Sequence, residues 1–473
     1  MLSIFDKLSN DHVDWLLANS EIVRITQDQI VIEKGDPVTA LYILTEGLLG
    51  IRLHDEQPEP FKVLGPGAIL GEMSFVDDQC ASATVYALER VEALQIARSS
   101  VEAKMEEDSE FAADFFRAIA WTLSDRLRSA LDSSAVSAES SNQLLSGPAG
   151  TLVDAMNACK DHLTELDKRL VKGEEFTDQQ FEELNQKFIG LQFKMNEIFG
   201  QIESPQERNL LGALAHREMY PYIHISENGD RWYAKPRGYA GDFMSIEMMY
   251  RNEPAGSGRL GVVMDRVMLE GFASRAVRNR RGLLADEIFR TVSSVEEKPA
   301  RIMSMACGPA RELHDVFTKL DTPGDIKSTL LDIDWQALSF VADWRDREKL
   351  TGHMDLLNEN LIYLALGRRK LDLPPQDLVY SIGLIDYFED KLVLKLINFV
   401  YDLLKPGGRI ILGNFHPKNP TKEFMDYCLE WRLIHRSEDD MDRLYSESKF
   451  NSPCTNIRFE EQGINLFAEC VKT

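Results

Sequence analysis

Gly308 and Asp332 are the two residues whose types and separation first suggest chemistry. Gly308 sits in Cys307-Gly308-Pro309-Ala310, where an apolar run from Ile302 to Ala306 breaks into a turn before Arg311-Glu312 open an amphipathic pattern. A strand that ends in a glycine turn and restarts as a helix brings backbone N–H groups and a helix N-terminus close to a ligand, the usual nucleotide-binding arrangement of α/β proteins. Roughly 20 residues on, a second apolar strand in Ser328 to Leu338 ends at Asp332, whose carboxylate can accept from both hydroxyls of a ribose. The turn keeps only Gly308 of a GxGxxG pattern, with Ala306 and Ala310 at the flanking glycine positions. Without a run of phosphate-facing glycines the site is a poor match to a pyrophosphate.

Two further strands position these residues. DLVYSIGLIDYF, Asp377 to Phe388, reads as a third strand, and LLKPGGRIILGNF, Leu403 to Phe415, as a Pro-Gly-Gly turn with a fourth; helical text such as DKLVLKLINFVYDLL separates them. The pattern predicts a doubly wound, Rossmann-like α/β domain. Its order resembles the class I S-adenosylmethionine-dependent methyltransferases. The resemblance implies S-adenosyl-L-methionine as cofactor: Ala306 and Gly308 for close backbone approach to its amino-acid end, Asp332 for its ribose, the Ile333-Asp334-Trp335 segment for its adenine, and the strand end at Ser381 beside it.

A narrower likeness lies outside that core. AKPRGYAGDF (Ala234 to Phe243), RAVRNRR (Arg275 to Arg281), SMACGPARE, YSIGLIDYF and GNFHPKNPTKEFMDYCLEWRLIHRS resemble the bacterial 3-hydroxy fatty acid (3-hydroxypalmitic acid) methyl ester synthases, makers of diffusible signals, over Leu214 to Thr473. This implies methylation of the carboxylate of a 3-hydroxy fatty acid. A carboxylate nucleophile carries no proton to remove, so a dry apolar pocket serves in-line displacement better than a general base. Tyr387 and Phe388 stand where this class places acceptor and methyl group, and an aromatic face there favours a sulfonium. By resemblance Tyr239 and Asp242 face the cofactor and Arg237 reaches a carboxylate. Of Arg275, Arg278, Arg280 and Arg281, the expectation is that Arg281 or Arg278 grips the methionyl carboxylate. His416 is a candidate to orient a substrate hydroxyl, and Arg436 a candidate carboxylate anchor. Each also has a plain structural reading: core aromatic, turn, solvated helix face or structural histidine.

From about Ile22 to Val91 short apolar runs alternate with glycine turns, which predicts a small β jelly roll. Gly35-Asp36, Tyr42, Gly47, Gly65-Pro66-Gly67 and Gly71-Glu72 fall where cyclic-nucleotide-binding domains have theirs, and the resemblance covers about the first 130 residues. It implies that Gly71, Glu72 and Ser82 line a ligand pocket, Glu72 accepting from a ribose 2′-hydroxyl. Ala81 occupies the position of the phosphate-pairing arginine, and Asp77 and Asp78 share the segment. The expectation is weak binding of cyclic AMP, because the charge-assisted partner is missing. No helix-turn-helix text follows.

Ser133 to Gly150 reads as a linker. Beyond it Leu152, Met156, Cys159, Leu163, Leu166 and Leu170 form one heptad seam; after the Thr177-Asp178-Gln179-Gln180 capping box, Phe181, Leu184, Phe188, Leu191, Met195 and Ile198 form another. Such helices can zip against each other or against a second subunit, and with the N-terminal fold they suggest a homodimer. The division expected is residues 1–132 cyclic-nucleotide-binding-like, 133–150 linker, 151–213 helical hairpin and 214–473 methyltransferase.

Across 473 residues the 44% hydrophobic content supports more than one core, and the net charge of -24 opposes nucleic-acid binding. The six cysteines include no CxxC pair, so no metal site is expected. The Met1 segment lacks the order of a signal peptide, and no apolar run reaches the roughly 18 residues of a membrane span, which suggests a cytoplasmic protein. Three readings stay open: methylation of a small carboxylic acid, methylation of an amine or hydroxyl acceptor, and sensing of the cofactor without turnover.

Overall fold

A computed structural model of the chain describes residues 8–53, 60, 62–77, 79–134, 148–320 and 322–473. Asp78, the side chain of Asp77, the start of the Met1 segment and most of the expected linker lie outside these. The chain divides into two units, Met1–Ser134 with Pro236–Tyr239, and Ala135–Lys235 with Ala240–Thr473. Among the described residues no helix is long and apolar enough to cross a membrane.

Among the described residues the first unit holds eight strands: β1 (Glu21–Ile25), β2 (Ile30–Ile32), β3 (Ala40–Glu46), β4 (Leu49–Arg52), β5 (Lys62–Leu64), β6 (Ile69–Leu70), β7 (Thr84–Ala87) and β8 (Val91–Ala97). They form two antiparallel sheets, β1-β8-β3-β6 and β2-β7-β4-β5. Alternate residues turn inward from both sheets, and Ile25, Leu44, Leu49, Leu64, Leu70, Val85, Ala87 and Val91 make the core between them. This is the sandwich that the glycine-punctuated runs predict.

In the second unit the hairpin is formed by helices Pro148–Val171 and Asp178–Gln201. Thr177 and Gln180 exchange the reciprocal bonds of a capping box. All twelve seam residues are at most 6% exposed. They share one core with Leu211, Val263, Met264, Phe415 and Phe424 from elsewhere in the unit, and Phe188 meets Phe424 edge-on. The seams therefore pack within the chain and present no surface to a second subunit. The seams lend no support to a homodimer, because burying the apolar stripes internally already removes them from water.

The remainder is built on β9 (Ala300–Met305), β10 (Ile326–Asp332), β11 (Met354–Asn358), β12 (Gln376–Ile382), β13 (Leu404–Phe415), β14 (Asn456–Phe459) and β15 (Asn465–Val471). They lie in the order β11-β10-β9-β12-β13-β15-β14. The first five are parallel and β15 runs antiparallel to both its neighbours. Strands buried on both faces read as continuous apolar runs, as β9 and β12 do. Chain order proceeds outward from β9 to β11 and then returns to β12 on the other flank of β9. That reversal opens a crevice at the carboxyl ends of β9 and β12, where open α/β sheets bind ligands. The expected third strand is shorter than Asp377 to Phe388: it stops at Ile382, because Gly383 adopts φ +80° and a short 3-10 turn, Ile385–Tyr387, follows.

Candidate active site

The turn after β9 is held in a conformation that glycine tolerates best. Ala306, Gly308 and Ala310 have φ of 51°, 53° and 48°. A non-glycine residue in this region costs roughly 1–2 kcal/mol, so the turn stores strain at the crevice. It is tied down by two bonds to β10: the Cys307 amide donates to Leu331 O at 3.2 Å and the Gly308 amide to Asp332 Oδ2 at 2.9 Å. The Asp334 amide donates to Asp332 Oδ1 at 2.9 Å. Burial pushes the Asp332 carboxyl up to about 6 despite these donors. The Ile333 backbone N–H and the Cys307 side chain also act on this carboxylate, which ties the acid further into the turn. The Ile333 carbonyl accepts from Asn358 Nδ2 at 2.8 Å, and Trp335 is 61% exposed at the start of the next helix. Ser381 instead donates to Met305 O at 2.8 Å, strapping β12 to β9.

Beyond β12, Asp386 is buried and accepts from the Phe415 amide at 2.7 Å through Oδ1, while its buried Oδ2 has no partner among the described residues; burial pushes this carboxyl up to about 6. Trp431 Nε1 donates to Tyr387 Oη at 2.9 Å, and burial raises the phenol well above its ordinary value. Gly241 has to be glycine for this pair, since a Cβ would lie 2.7 Å from Tyr387 Oη. Phe388 is buried.

Several side chains singled out for ligand contact are committed elsewhere. Arg436 donates from Nε and Nη2 to Asp390, from Nη2 to Phe388 O, and from Nη1 to Ile385 O and Asn414 Oδ1. All five guanidinium N–H bonds are used, so this residue clamps the loop after β12 and has no donor left for a carboxylate anchor. His416 meets Glu438 through Nε2 at 2.8 Å and accepts the Lys418 amide at Nδ1, which occupies both ring nitrogens. Asp242 caps helix Phe243–Arg251 and takes a bidentate ion pair from Arg231 at 2.8 Å, with no exposure of its own. Arg237 and Tyr239 belong to the stretch counted with the first unit.

The arginine cluster separates. Arg281 forms a bidentate pair with Asp315 at 2.6 Å, Arg278 bonds Leu269 O and Glu270, and Arg275 bonds Glu270. Arg280 is 5% exposed, and its Nε has no hydrogen-bond partner among the described residues. A Cβ on Gly383 would lie 3.2 Å from Arg280 Nη1, so the guanidinium rests against the backbone at the carboxyl end of β12. Glu312, buried below the turn, accepts from Tyr380 Oη at 2.8 Å, and burial raises its carboxyl. Asp386, Glu312 and the distinction of Arg280 were not read from sequence. A signal for Arg280 existed: it stands in helical register with Ala276, Val277 and Leu284, the apolar face of its helix.

In the first unit Gly71 has φ +83°, and a Cβ there would fall 2.6 Å from Ala40 O. Glu72 is buried and Ser82 exposed. The Ala81 amide donates to Asp36 O at 2.9 Å, so it is already engaged.

Residues 22–108 match the family model of the cyclic nucleotide-binding domain, and residues 237–467 match one described as "Putative methyltransferase". The chain thus carries an N-terminal cyclic nucleotide-binding domain and a C-terminal domain of that methyltransferase description. A curated relative, the uncharacterized protein YnbC of Escherichia coli K12, is 26% identical over 247 residues, 48% of this chain and 40% of the relative, so the chain spans less than half of that protein's length. Two solved structures are similar to part of the chain. The N-terminal domain of a transcriptional regulator from Streptomyces coelicolor is 27% identical, covering 26% of this chain and 90% of that one, with a TM-score of 0.24. A cyclic nucleotide-binding domain from Methylobacillus flagellatus is 22% identical, covering 28% and 78%, with a TM-score of 0.26.

Proposed function

We propose that the protein is an S-adenosylmethionine-dependent methyltransferase whose acceptor is a small carboxylic acid of the 3-hydroxy fatty acid type, with an N-terminal domain that regulates it. The observation supporting the cofactor is Asp332: a buried acid at the carboxyl end of β10, keyed to the Gly308 amide of the turn after β9. The donor set suits a nucleoside without phosphate, since Gly308 meets nothing within 4 Å where a Cβ would project and Ile333 and Trp335 adjoin the acid. When bound, the cofactor supplies an electrophilic methyl group. The chain's own contribution is to hold the ribose through Asp332, to line the acceptor side with Tyr387 and Phe388, and to exclude water there.

Two of the side chains beside the loop after β12 are unsuited to act as a base, which favours a carboxylate acceptor. Tyr387 is too reluctant to ionise to act as a base, and both nitrogens of His416 are engaged. A carboxylate acceptor requires neither. One observation favours an amine or hydroxyl acceptor: Asp386, with an unpartnered oxygen and a carboxyl at about 6, has the properties of a general base. Mass spectrometry of cell extracts incubated with the protein and methyl-labelled cofactor decides between them. A labelled methyl ester supports the first reading; a labelled amine or ether, formed at a rate that collapses in Asp386→Asn, supports the second. Cofactor binding with no labelled product in any extract would leave a sensor and sink both.

A further inference from the structure

We infer that Arg280 binds a carboxylate in the crevice, either that of the methionyl end of the cofactor or that of the methyl acceptor. This rests on reading the domain as an S-adenosylmethionine-dependent methyltransferase. Arg280 lies on the inward face of helix Phe272–Ser294, which packs against β9 and β12. Its three neighbouring arginines are neutralised by Glu270 or Asp315. Among the described residues, Arg280 has no carboxylate oxygen within 4.0 Å, and its Nε has no partner. Its polar neighbours include the Tyr250 phenol and, at longer range, the Tyr387 phenol and the carboxyls of Glu312 and Asp386. One oxygen of each acid is already taken, by Tyr380 Oη and by the Phe415 amide.

A buried guanidinium without a close counterion is costly, and removing that cost is what an incoming anion does. The fork geometry of arginine selects a planar, bidentate partner, which a carboxylate is. Gly383 makes the approach possible: with no side chain at the end of β12, the backbone passes Nη1 without covering the guanidinium with a Cβ. Both the cofactor and the proposed acceptor bring a carboxylate to this end of the sheet, so the chemistry is shared and experiment separates the sources.

The test is calorimetry of the full chain and of Arg280→Gln and Arg280→Lys with S-adenosylhomocysteine, with 5′-methylthioadenosine, which lacks the carboxylate, and with 3-hydroxypalmitate. If the methionyl carboxylate is the ligand, Arg280→Gln weakens S-adenosylhomocysteine by roughly 30-fold and methylthioadenosine by less than about twofold, the worth of a charge-assisted pair. If the acceptor is the ligand, S-adenosylhomocysteine is unchanged and 3-hydroxypalmitate weakens by the same factor. Arg280→Lys, which keeps the charge and loses the fork, falls between, and it carries the test should Arg280→Gln not fold. Unchanged affinity for all three, or equal weakening of S-adenosylhomocysteine and methylthioadenosine, overturns the assignment. Failure of the unmodified chain to bind either nucleoside overturns the methyltransferase reading itself, and the assignment with it.

Discussion

The Gly308 amide donates to Asp332 Oδ2 at 2.9 Å, so the turn after β9 and the acid at the end of β10 are one unit. Deleting the acid frees the amide of a strained turn as well as removing a ribose acceptor. Asp332→Ala is expected to weaken S-adenosylhomocysteine by about 2 kcal/mol, roughly 30-fold. Calorimetry giving unchanged affinity would remove Asp332 from the site.

Asp332 and Asp386 each rise from 3.8 to about 6 on folding, chiefly through burial. A folded state that binds more protons than the unfolded one loses stability as pH rises, so this contribution is fully present below about pH 4 and lost through about pH 6. At about 1.4 kcal/mol per unit, each acid accounts for about 3 kcal/mol at most. Urea unfolding from pH 4 to 8 should show the decline, and Asp386→Asn should flatten part of it. A slope unaltered by that substitution would argue against the raised Asp386 carboxyl.

Because Arg436 spends five N–H bonds on the loop after β12, its loss is structural before it is catalytic. Arg436→Met should cost about 3 kcal/mol in denaturant unfolding, the range for breaking a buried, hydrogen-bonded charge. A variant of full stability with a raised KM would return Arg436 to the role of substrate anchor.

The Tyr387 phenol accepts from Trp431 and stays protonated. Tyr387→Phe should therefore leave the pH dependence of kcat unshifted while altering Trp431 fluorescence. Loss of a basic limb in the rate profile would show that the phenol ionises in turnover.

With Ala81 at the arginine position and its amide engaged by Asp36, cyclic AMP is expected to bind the first unit more weakly than about 10 micromolar, and Ala81→Arg to tighten it tenfold or more. Submicromolar binding by the unmodified chain would mean that other groups carry the phosphate.

The sequence by itself determined the elements. A period of two or of three to four, punctuated by glycine and caps, is a local signal, and it located the sandwich strands, the seamed helices with their Thr177 capping box, and the strand-turn-helix at Gly308. The separation of Gly308 from Asp332 was legible for the same reason: two consecutive parallel strands bring their carboxyl ends to one edge. What tertiary structure alone decided was which partner each polar side chain takes. Arg281 finds Asp315, His416 finds Glu438, Asp242 finds Arg231, and Arg436 finds carbonyls some fifty residues upstream; these pairings occupy the donors and acceptors that residue type alone leaves open to a ligand. Asp386 and Arg280 remain incompletely paired because their partners' positions are filled by backbone or by nothing, a fact of packing that residue type does not encode. The seams show the same limit in apolar form. A heptad stripe is satisfied equally by its own hairpin or by a second chain, and only the shared core with Phe415 and Phe424 shows that it was used internally.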